Sequence, residues 1–298
     1  MKIGYPCINR TIGCTCGRTF RLKNFSEDRL EETVRSNLLC LLNILKFNVE
    51  RTILFFRITS DLIPFASHPV CTFHWQERFQ EQFKEIGMFI RRHDIRISMH
   101  PDQFVVINSK DDAVVERSIK ELEYHAQVLD LLGLDRSAKI QIHVGGVYND
   151  KEKSMQRFID RYNALDDLIK KRLVIENDDT SYTVTDCLRI HFATGIPVLF
   201  DYFHHQLNSS EEKMADAFEL LSRTWSEKDG IMMVDYSSHH GRGSKRSHAF
   251  TIDLRDFTSF LEQSKPFDYD VMLEIKDKEE SALAALQAVK KDSRFIKV

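Results

Sequence analysis

Eight short apolar segments constrain the fold of this 298-residue chain more than any other feature of its sequence. Each segment is four to eight residues long and rich in Ile, Val and Phe, as is typical of strands buried on both faces of a parallel sheet. The predicted strands are residues 2–5, 52–59, 95–100, 139–144, 173–177, 197–202, 231–236 and 270–276.

An amphipathic helical pattern follows each predicted strand. The first helix begins after Ser26, a suitable N-cap, and its apolar residues recur with a helical period from Leu30 to Leu45. The other predicted helices are residues 77–93, 112–132, 151–170, 183–193, 210–224, 254–263 and 279–290. Eight strand–helix units predict an α/β fold in which residues 1–298 form a single (β/α)8 TIM-barrel domain. An open doubly wound sheet has the same alternation, but the glycine-rich phosphate-binding turn expected of it does not occur.

The composition narrows the function classes only slightly. Lys and Arg (42) nearly balance Asp and Glu (45), so the net charge of −3 gives no global positive field that would attract nucleic acid. The chain has no run of about 18 apolar residues and no hydrophobic leader, so we expect a cytoplasmic protein without membrane contact. Six scattered cysteines predict reduced thiols, with Cys40 buried on the first helix. Nothing in the sequence indicates an oligomer interface, and we expect a monomer.

Residue types that bind metals recur at the ends of the predicted strands. Seven successive strand–helix units deliver a His, Asp or Glu to the carboxyl-terminal end of the barrel, where barrel enzymes place their chemistry. A charged side chain inside an apolar strand is costly to bury unless it is paired or binds a metal. The nine candidate ligands are His68, His100, His143, Glu176, Asp201, His204, Asp235, His248 and Glu274.

Nine ligands exceed the about four to six that a single ion uses, so they predict two or three metal ions, with Glu176 and Glu274 as bridging carboxylates. A mixture of imidazole and carboxylate favours manganese, zinc or iron over magnesium or calcium. The same rim carries a basic loop in which Arg242, Lys245 and Arg246 are candidates for binding phosphate groups.

Several longer motifs resemble the UV damage endonuclease family. They include FRI at residues 56–58, IPFASHP at 63–69, SMHPDQ at 98–103, DYFHH at 201–205 and DVMLEIK at 270–276, and they follow one another across nearly the whole chain. The resemblance implies a TIM barrel similar to those of xylose isomerases and endonuclease IV-type enzymes. It also implies a metal-dependent DNA repair endonuclease that uses Mn²⁺ and a metal-activated water. Its substrate would be UV-damaged double-stranded DNA, nicked immediately 5′ to cyclobutane dimers and 6-4 photoproducts to leave 3′-hydroxyl and 5′-phosphate ends.

The same resemblance assigns roles to individual residues. The nine candidate ligands match the ligands of the family, and the residues expected to be catalytic are Glu176, Glu274, His100 and His143. The family inserts a Gln–Tyr pair into the duplex opposite the lesion, and the matching positions here are Gln103 and Phe104. Tyr5 and Asn9 match positions that line the lesion pocket.

Two positions depart from the pattern of other family members. Asp235 stands where some members have a histidine, and Met233 stands where some have a modified lysine. A carboxylate can still bind a metal at the first position, but any role of the lysine is absent here or supplied elsewhere.

Three alternative functions remain open from the sequence. A sugar isomerase of the xylose isomerase type would share the barrel and the metals but would need neither a basic rim nor an intercalating aromatic residue. An abasic-site endonuclease would differ in what fits the lesion pocket. A metal-binding protein without catalysis would show no metal-dependent nicking of DNA.

Overall fold

Eight parallel strands close into a barrel in this computed structural model, which describes residues 1–209, 213–239 and 246–295. Neighbouring strands pair in chain order, and β8 pairs with β1 to complete the closure. The strands are β1 (Ile3–Pro6), β2 (Phe55–Ile58), β3 (Arg96–Met99), β4 (Lys139–His143), β5 (Leu173–Glu176), β6 (Val198–Asp201), β7 (Met232–Tyr236) and β8 (Tyr269–Leu273). The predicted TIM barrel is therefore confirmed.

Helices cover the outside of the barrel and bury its outer face. They are α1 (Glu27–Glu50), α2 (Trp75–Arg78), α3 (Gln80–Arg92), α4 (Asp112–Leu131), α5 (Lys151–Ala164), α6 (Asp167–Lys170), α7 (Val184–Thr194), α8 (Tyr202–Leu207), α9 (Met214–Ser222), α10 (Leu254–Gln263) and α11 (Glu279–Ala288). The side chain of Ser26 accepts a hydrogen bond from the backbone N–H of Arg29, which confirms the predicted cap of α1. No helix in these ranges combines the length and hydrophobicity that a membrane crossing requires.

Two predicted helices are each divided into two. Residues 151–170 form α5 and α6 because Leu165 is extended and Asp166 caps a new helix, accepting a hydrogen bond from the N–H of Leu168. Residues 77–93 were expected as one helix, but the helical region begins at Trp75 and is interrupted at Phe79, whose ring is fully buried. Burial of an aromatic ring there overrides the local helical pattern.

The expectation of six reduced cysteines is wrong for two of them. Cys14 and Cys40 form a disulfide bond, with their Cα atoms 5.9 Å apart. Cys14 lies in the loop after β1, and this loop folds back onto α1, where Cys40 is buried. Sequence spacing does not reveal that return of the loop, so the pair could not be recognised from the sequence.

The barrel interior is built from two layers, because residues two apart on a strand face the same side. The lower layer is an apolar cluster, separate from the main core, formed by one fully buried residue from each of five strands: Phe55, Val174, Leu199, Met233 and Met272. Two residues further along each of these strands stands a charged residue. This upper layer contains, in the same order, Arg57, Glu176, Asp201, Asp235 and Glu274.

Candidate active site

The carboxyl ends of the six strands β3 to β8 bring metal-binding side chains together, with Asp235 supplied by β7. His100 directly follows β3, His143 and Glu176 end β4 and β5, Asp201 ends β6, and Glu274 directly follows β8. Seven of the nine predicted ligands form three overlapping groups in which the ligand atoms lie within 4.8 Å of one another. The groups are His100–His143–Glu176, Glu176–Asp201–His204 and Asp201–Asp235–Glu274.

The first two groups form what we term the histidine half of the site: His100, His143, Glu176, Asp201 and His204. Oε1 of Glu176 lies 3.1 Å from Nε2 of His100 and 3.2 Å from Nε2 of His143. Burial alone would raise the pKa of Glu176, but His143 and His100 outweigh burial and lower its pKa to about 2. This carboxylate therefore stays ionised while it is almost completely buried.

Asp201 and His204 form a close pair in the same half. Nδ1 of His204 lies 3.1 Å from Oδ2 of Asp201, and the backbone N–H of His204 donates to Oδ1. Burial alone would lower the pKa of His204, but Asp201 and Glu176 outweigh it and raise the pKa to about 9. Asn177 fixes the position of β6 at this point by exchanging two hydrogen bonds with the backbone of Asp201.

The arginine half consists of Arg57, Asp235 and Glu274 of the upper layer together with Gln141 of β4. Nη2 of the buried Arg57 donates to Oδ2 of Asp235 at 2.7 Å and to Oε1 of Gln141 at 2.8 Å, while Nη1 donates to Glu274. Nε2 of Gln141 in turn donates to Asp235 at 2.6 Å and to Glu176 at 2.5 Å, so it joins the two halves. Burial raises the pKa of Asp235 to about 7 despite the guanidinium beside it.

Sequence reasoning overlooked the roles of Arg57 and Gln141. In the sequence, Arg57 stands out only as part of the FRI motif, and Gln141 belongs to none of the quoted motifs. Both are polar side chains within apolar strands, and Gln141 is two residues before His143 on the same face of β4. A polar side chain inside an apolar strand is costly to bury, and this argument applies to Arg57 and Gln141 as well as to the metal ligands. Neither residue is of a metal-binding type, so a search for ligands alone does not find them.

Two predicted ligands lie outside the three groups. His248 lies beside the arginine half, with its Nε2 3.7 Å from Oε2 of Glu274. His68 is exposed in the loop after β2, and its Nδ1 accepts a hydrogen bond from the N–H of Val70. It borders a separate cavity beside Phe104.

The donor set is suited to a divalent metal ion. Imidazole nitrogens and carboxylate oxygens together favour manganese, zinc or iron. The Nδ1 atoms of His143 and His248 are buried and have no hydrogen-bond partner among the described residues. Because an unsatisfied buried polar atom is costly, these nitrogens also favour a bound group.

A cavity of about 540 Å³ opens above these side chains, and His100, His248 and Glu274 line it. Gln103 and Phe104 lie on one wall, where 65% of the Phe104 side chain is exposed. The structure places Tyr5 and Asn9 below the surface instead: the Tyr5 hydroxyl donates to Asn48 and accepts from Asn9, and both are buried.

The basic loop is described only in part. Arg246 lies 3.4 Å from Asp179 and is exposed, whereas Arg242 and Lys245 lie outside the described residues. The predicted phosphate contacts of this loop therefore stay predictions.

A closed barrel that collects histidines and carboxylates at the carboxyl ends of its strands is the arrangement of a TIM-barrel enzyme. Endonuclease IV from Thermus thermophilus shares this fold, with a TM-score of 0.58 at 14% identity over 84% of this chain and 93% of that chain.

Closer relatives define the family. The family model described as UV-endonuclease UvdE matches residues 1–298. The UV DNA damage endonuclease of Clostridium perfringens is 39% identical over 298 residues, which cover 99% of this chain and 72% of the relative. The crystal structure of SacUVDE has a TM-score of 0.94 at 45% identity and covers 99% of this chain and 100% of that chain. The chain belongs to the UvdE family, as its motifs suggested, and is a DNA repair endonuclease.

Proposed function

We propose that this endonuclease nicks double-stranded DNA immediately 5′ to cyclobutane dimers and 6-4 photoproducts, in a metal-dependent hydrolysis that leaves 3′-hydroxyl and 5′-phosphate ends. The observation that carries the proposal is the set of three overlapping ligand groups below a cavity whose wall presents an exposed aromatic side chain. The relatives are UV DNA damage endonucleases, and this supports the proposed lesion class. We also propose that it acts as a monomer inside the cell, where its substrate is found.

Manganese is the proposed metal, with zinc as the alternative, and two or three ions are proposed per chain. His100, His143 and Glu176 would hold one ion, and Glu176, Asp201 and His204 a second. A third would need Asp201, Asp235 and Glu274, two of which already pair with Arg57. Divalent ions bound there would supply Lewis acidity, lowering the pKa of water and neutralising phosphate charge.

The protein's own residues hold the ligands in place before any ion arrives. Gln141 orients the carboxylates of Glu176 and Asp235 through two short hydrogen bonds. Arg57 balances the charge of Asp235 and Glu274, which would otherwise repel each other in a buried site. Such support keeps the ligand geometry fixed and limits the reorganisation that binding requires.

Lesion recognition is assigned to the exposed wall of the cavity. Phe104 is large, apolar and 65% exposed, and it adjoins the polar side chain of Gln103. An aromatic ring can insert between or stack on bases, with base–aromatic stacking contributing about 1–3 kcal/mol. Damaged dinucleotides pair weakly, so opening the duplex there costs less than at undamaged sites. Arg242, Lys245 and Arg246 are proposed to bind the flanking phosphates.

A nicking assay tests the proposal directly. Four matched duplex oligonucleotides carry a cyclobutane dimer, a 6-4 photoproduct, an abasic site or no lesion, and each is incubated with Mn²⁺ or with EDTA. The expected result is a single nick 5′ to each photoproduct, in Mn²⁺ only, with a ligatable 5′-phosphate. Nicking at the abasic site alone would favour the abasic-site endonuclease instead, and nicking in EDTA would exclude the metal dependence.

A further inference from the structure

Two loops line the cavity above the ligands, one after β3 and one after β8. The loop after β3 supplies Gln103 and Phe104, while the loop after β8 supplies a second wall, Ile275, Lys276 and Lys278. Lys276 and Lys278 are the two cations of this second wall. Both follow Glu274 closely, so any phosphate at the ligand groups lies near this loop.

Among the described residues, the ammonium group of Lys278 lacks an anionic partner such as the guanidinium of Arg57 has. Arg57 pairs with two carboxylates, and Arg10 donates to the carbonyl oxygen of Lys276. No carboxylate of the described residues lies at ion-pair distance from the ammonium group of Lys278. The side chain is only partly exposed, and it faces the cavity that also contains Glu274. A partly buried, unpaired ammonium group in a cavity favours an anionic ligand.

The backbone holds Lys278 in a conformation that a side-chain-bearing residue rarely adopts. Its φ is +58° and its ψ −113°, directly before α11. Neighbouring hydrogen bonds maintain this geometry: the N–H of Asp277 donates to the carbonyl of Phe250, and the N–H of Lys278 donates to that of Ile275. Glycine would suit such a φ better, so the chain carries a lysine where the backbone conformation disfavours a side chain.

We propose that the ammonium group of Lys278 binds a non-bridging oxygen of the phosphodiester that is cut. The inference rests on the proposed function, in that it places the reacting phosphate in this cavity. Phosphate is the anionic group that DNA presents, and a lysine ammonium binds it as a compact point charge. Because Lys278 shares the cavity with His100, His248 and Glu274, the phosphate it contacts is the one beside the ligand groups.

The Lys278→Gly variant distinguishes a role of Lys278 in phosphate binding from a role in holding the structure together. Glycine removes the ammonium group and fits the positive φ, so the variant should unfold at or above the temperature of the wild type. Its metal content should be unchanged, whereas its single-turnover nicking should fall by about 10- to 100-fold, as expected for one charged contact. Lys278→Arg should restore most of the nicking. Lys84→Met, which removes an exposed lysine of α3, is the matched control.

DNA binding gives a second readout that does not require cutting. In EDTA, the plot of log binding constant against log salt concentration should be shallower for Lys278→Gly by about 0.9, the contribution of one phosphate contact. Wild-type nicking together with a wild-type salt slope in Lys278→Gly would overturn the proposal. The proposal would also be overturned if Lys278→Gly lost nicking together with thermal stability or bound metal, and if Lys278→Arg did not restore the nicking. If the wild type itself nicks no photoproduct, the proposed function fails, and the salt slope still decides the role of Lys278.

Discussion

Both halves of the site contain buried carboxylates, but the positive groups that stabilise these carboxylates differ between the halves. In the histidine half, buried carboxylates are stabilised by imidazoles: Glu176 by His100 and His143, and Asp201 by His204. In the arginine half, Asp235 and Glu274 share one guanidinium. Both halves lie on the same apolar layer and share the same barrel geometry, so the difference is in the counter-charge alone.

That difference determines how readily each half accepts a metal ion. An imidazole can lose its proton and then become a ligand itself. A guanidinium stays charged at every physiological pH, so it must move away before an ion can occupy its place. We therefore expect the histidine half to bind ions first and the arginine half to bind a further ion more weakly.

The largest effect is expected from Glu176→Ala, because this carboxylate belongs to two of the three ligand groups. The variant should lose metal from the histidine half and reduce nicking by about 1,000-fold or more. Metal content by mass spectrometry and single-turnover nicking measure the two effects. Asp270→Asn, which changes a buried carboxylate at the start of β8, is the matched control and should keep its metal. Retained nicking in Glu176→Ala would contradict the assigned role.

Arg57→Met should produce the next largest effect, a loss of stability whose size depends on whether metal is bound. Without metal, Asp235 and Glu274 lose their cation, which should reduce the free energy of unfolding by about 3–5 kcal/mol. Mn²⁺ can replace the lost positive charge, so adding it should recover much of this stability. Stepwise titration should also show a tighter third ion than in the wild type.

Arg96→Met provides the control for that comparison. Arg96 pairs with Asp270 at 3.2 Å in an equally buried setting near the amino ends of the strands, remote from the ligand groups. Its loss of stability should therefore be the same with and without Mn²⁺. Denaturant unfolding in EDTA and in Mn²⁺ measures both variants. If Mn²⁺ fails to stabilise Arg57→Met more than Arg96→Met, the contrast between the two halves is wrong.

The sequence was sufficient for the fold and for most of the ligand cluster. Strand and helix alternation predicted the closed barrel, and the alternation of side chains within strands implied that strand-end ligands would face one cavity. Seven of the nine predicted ligands are close together in the structure, although metal binding by them stays a prediction. His68 is not among them, because the loop that carries it turns its ring toward a different cavity.

Contacts across the barrel could not be predicted. Arg57 reaches from β2 to Asp235 on β7 and to Glu274 after β8, and Cys14 returns to α1 through a long loop. Periodicity shows which face of a strand or helix a residue occupies. It does not show which residue, distant in the sequence, a long side chain will contact. The positive φ of Lys278 is likewise invisible in the sequence, where a lysine predicts no such conformation.

Alkaline pH should weaken the metal-free histidine half. The pKa of His204 is raised from its ordinary 6.5 to about 9, so its protonation stabilises the fold fully below pH 6.5, and this contribution is lost as the pH rises through 9. The contribution is at most about 3 kcal/mol. Unfolding of the EDTA-treated protein between pH 6 and about 9.5 should show the decline, and His204→Gln should flatten it. An unchanged pH profile in that variant would show that another group is responsible.

The smallest effect concerns the wall of the cavity, which neither half of the site includes. Phe104→Ala should keep full metal content, since Phe104 is exposed and belongs to none of the ligand groups. Loss of base stacking, about 1–3 kcal/mol, should lower the preference for photoproduct over undamaged DNA by roughly 5- to 150-fold. Adding Gln103→Ala should deepen the loss, whereas Phe104→Tyr should retain the preference because it keeps the ring. Competition binding between lesion-bearing and undamaged duplexes in EDTA measures the preference without cutting. Equal preference in the wild type and the double variant would place lesion discrimination elsewhere, and the buried Tyr5–Asn9 pair would then become the next position to substitute.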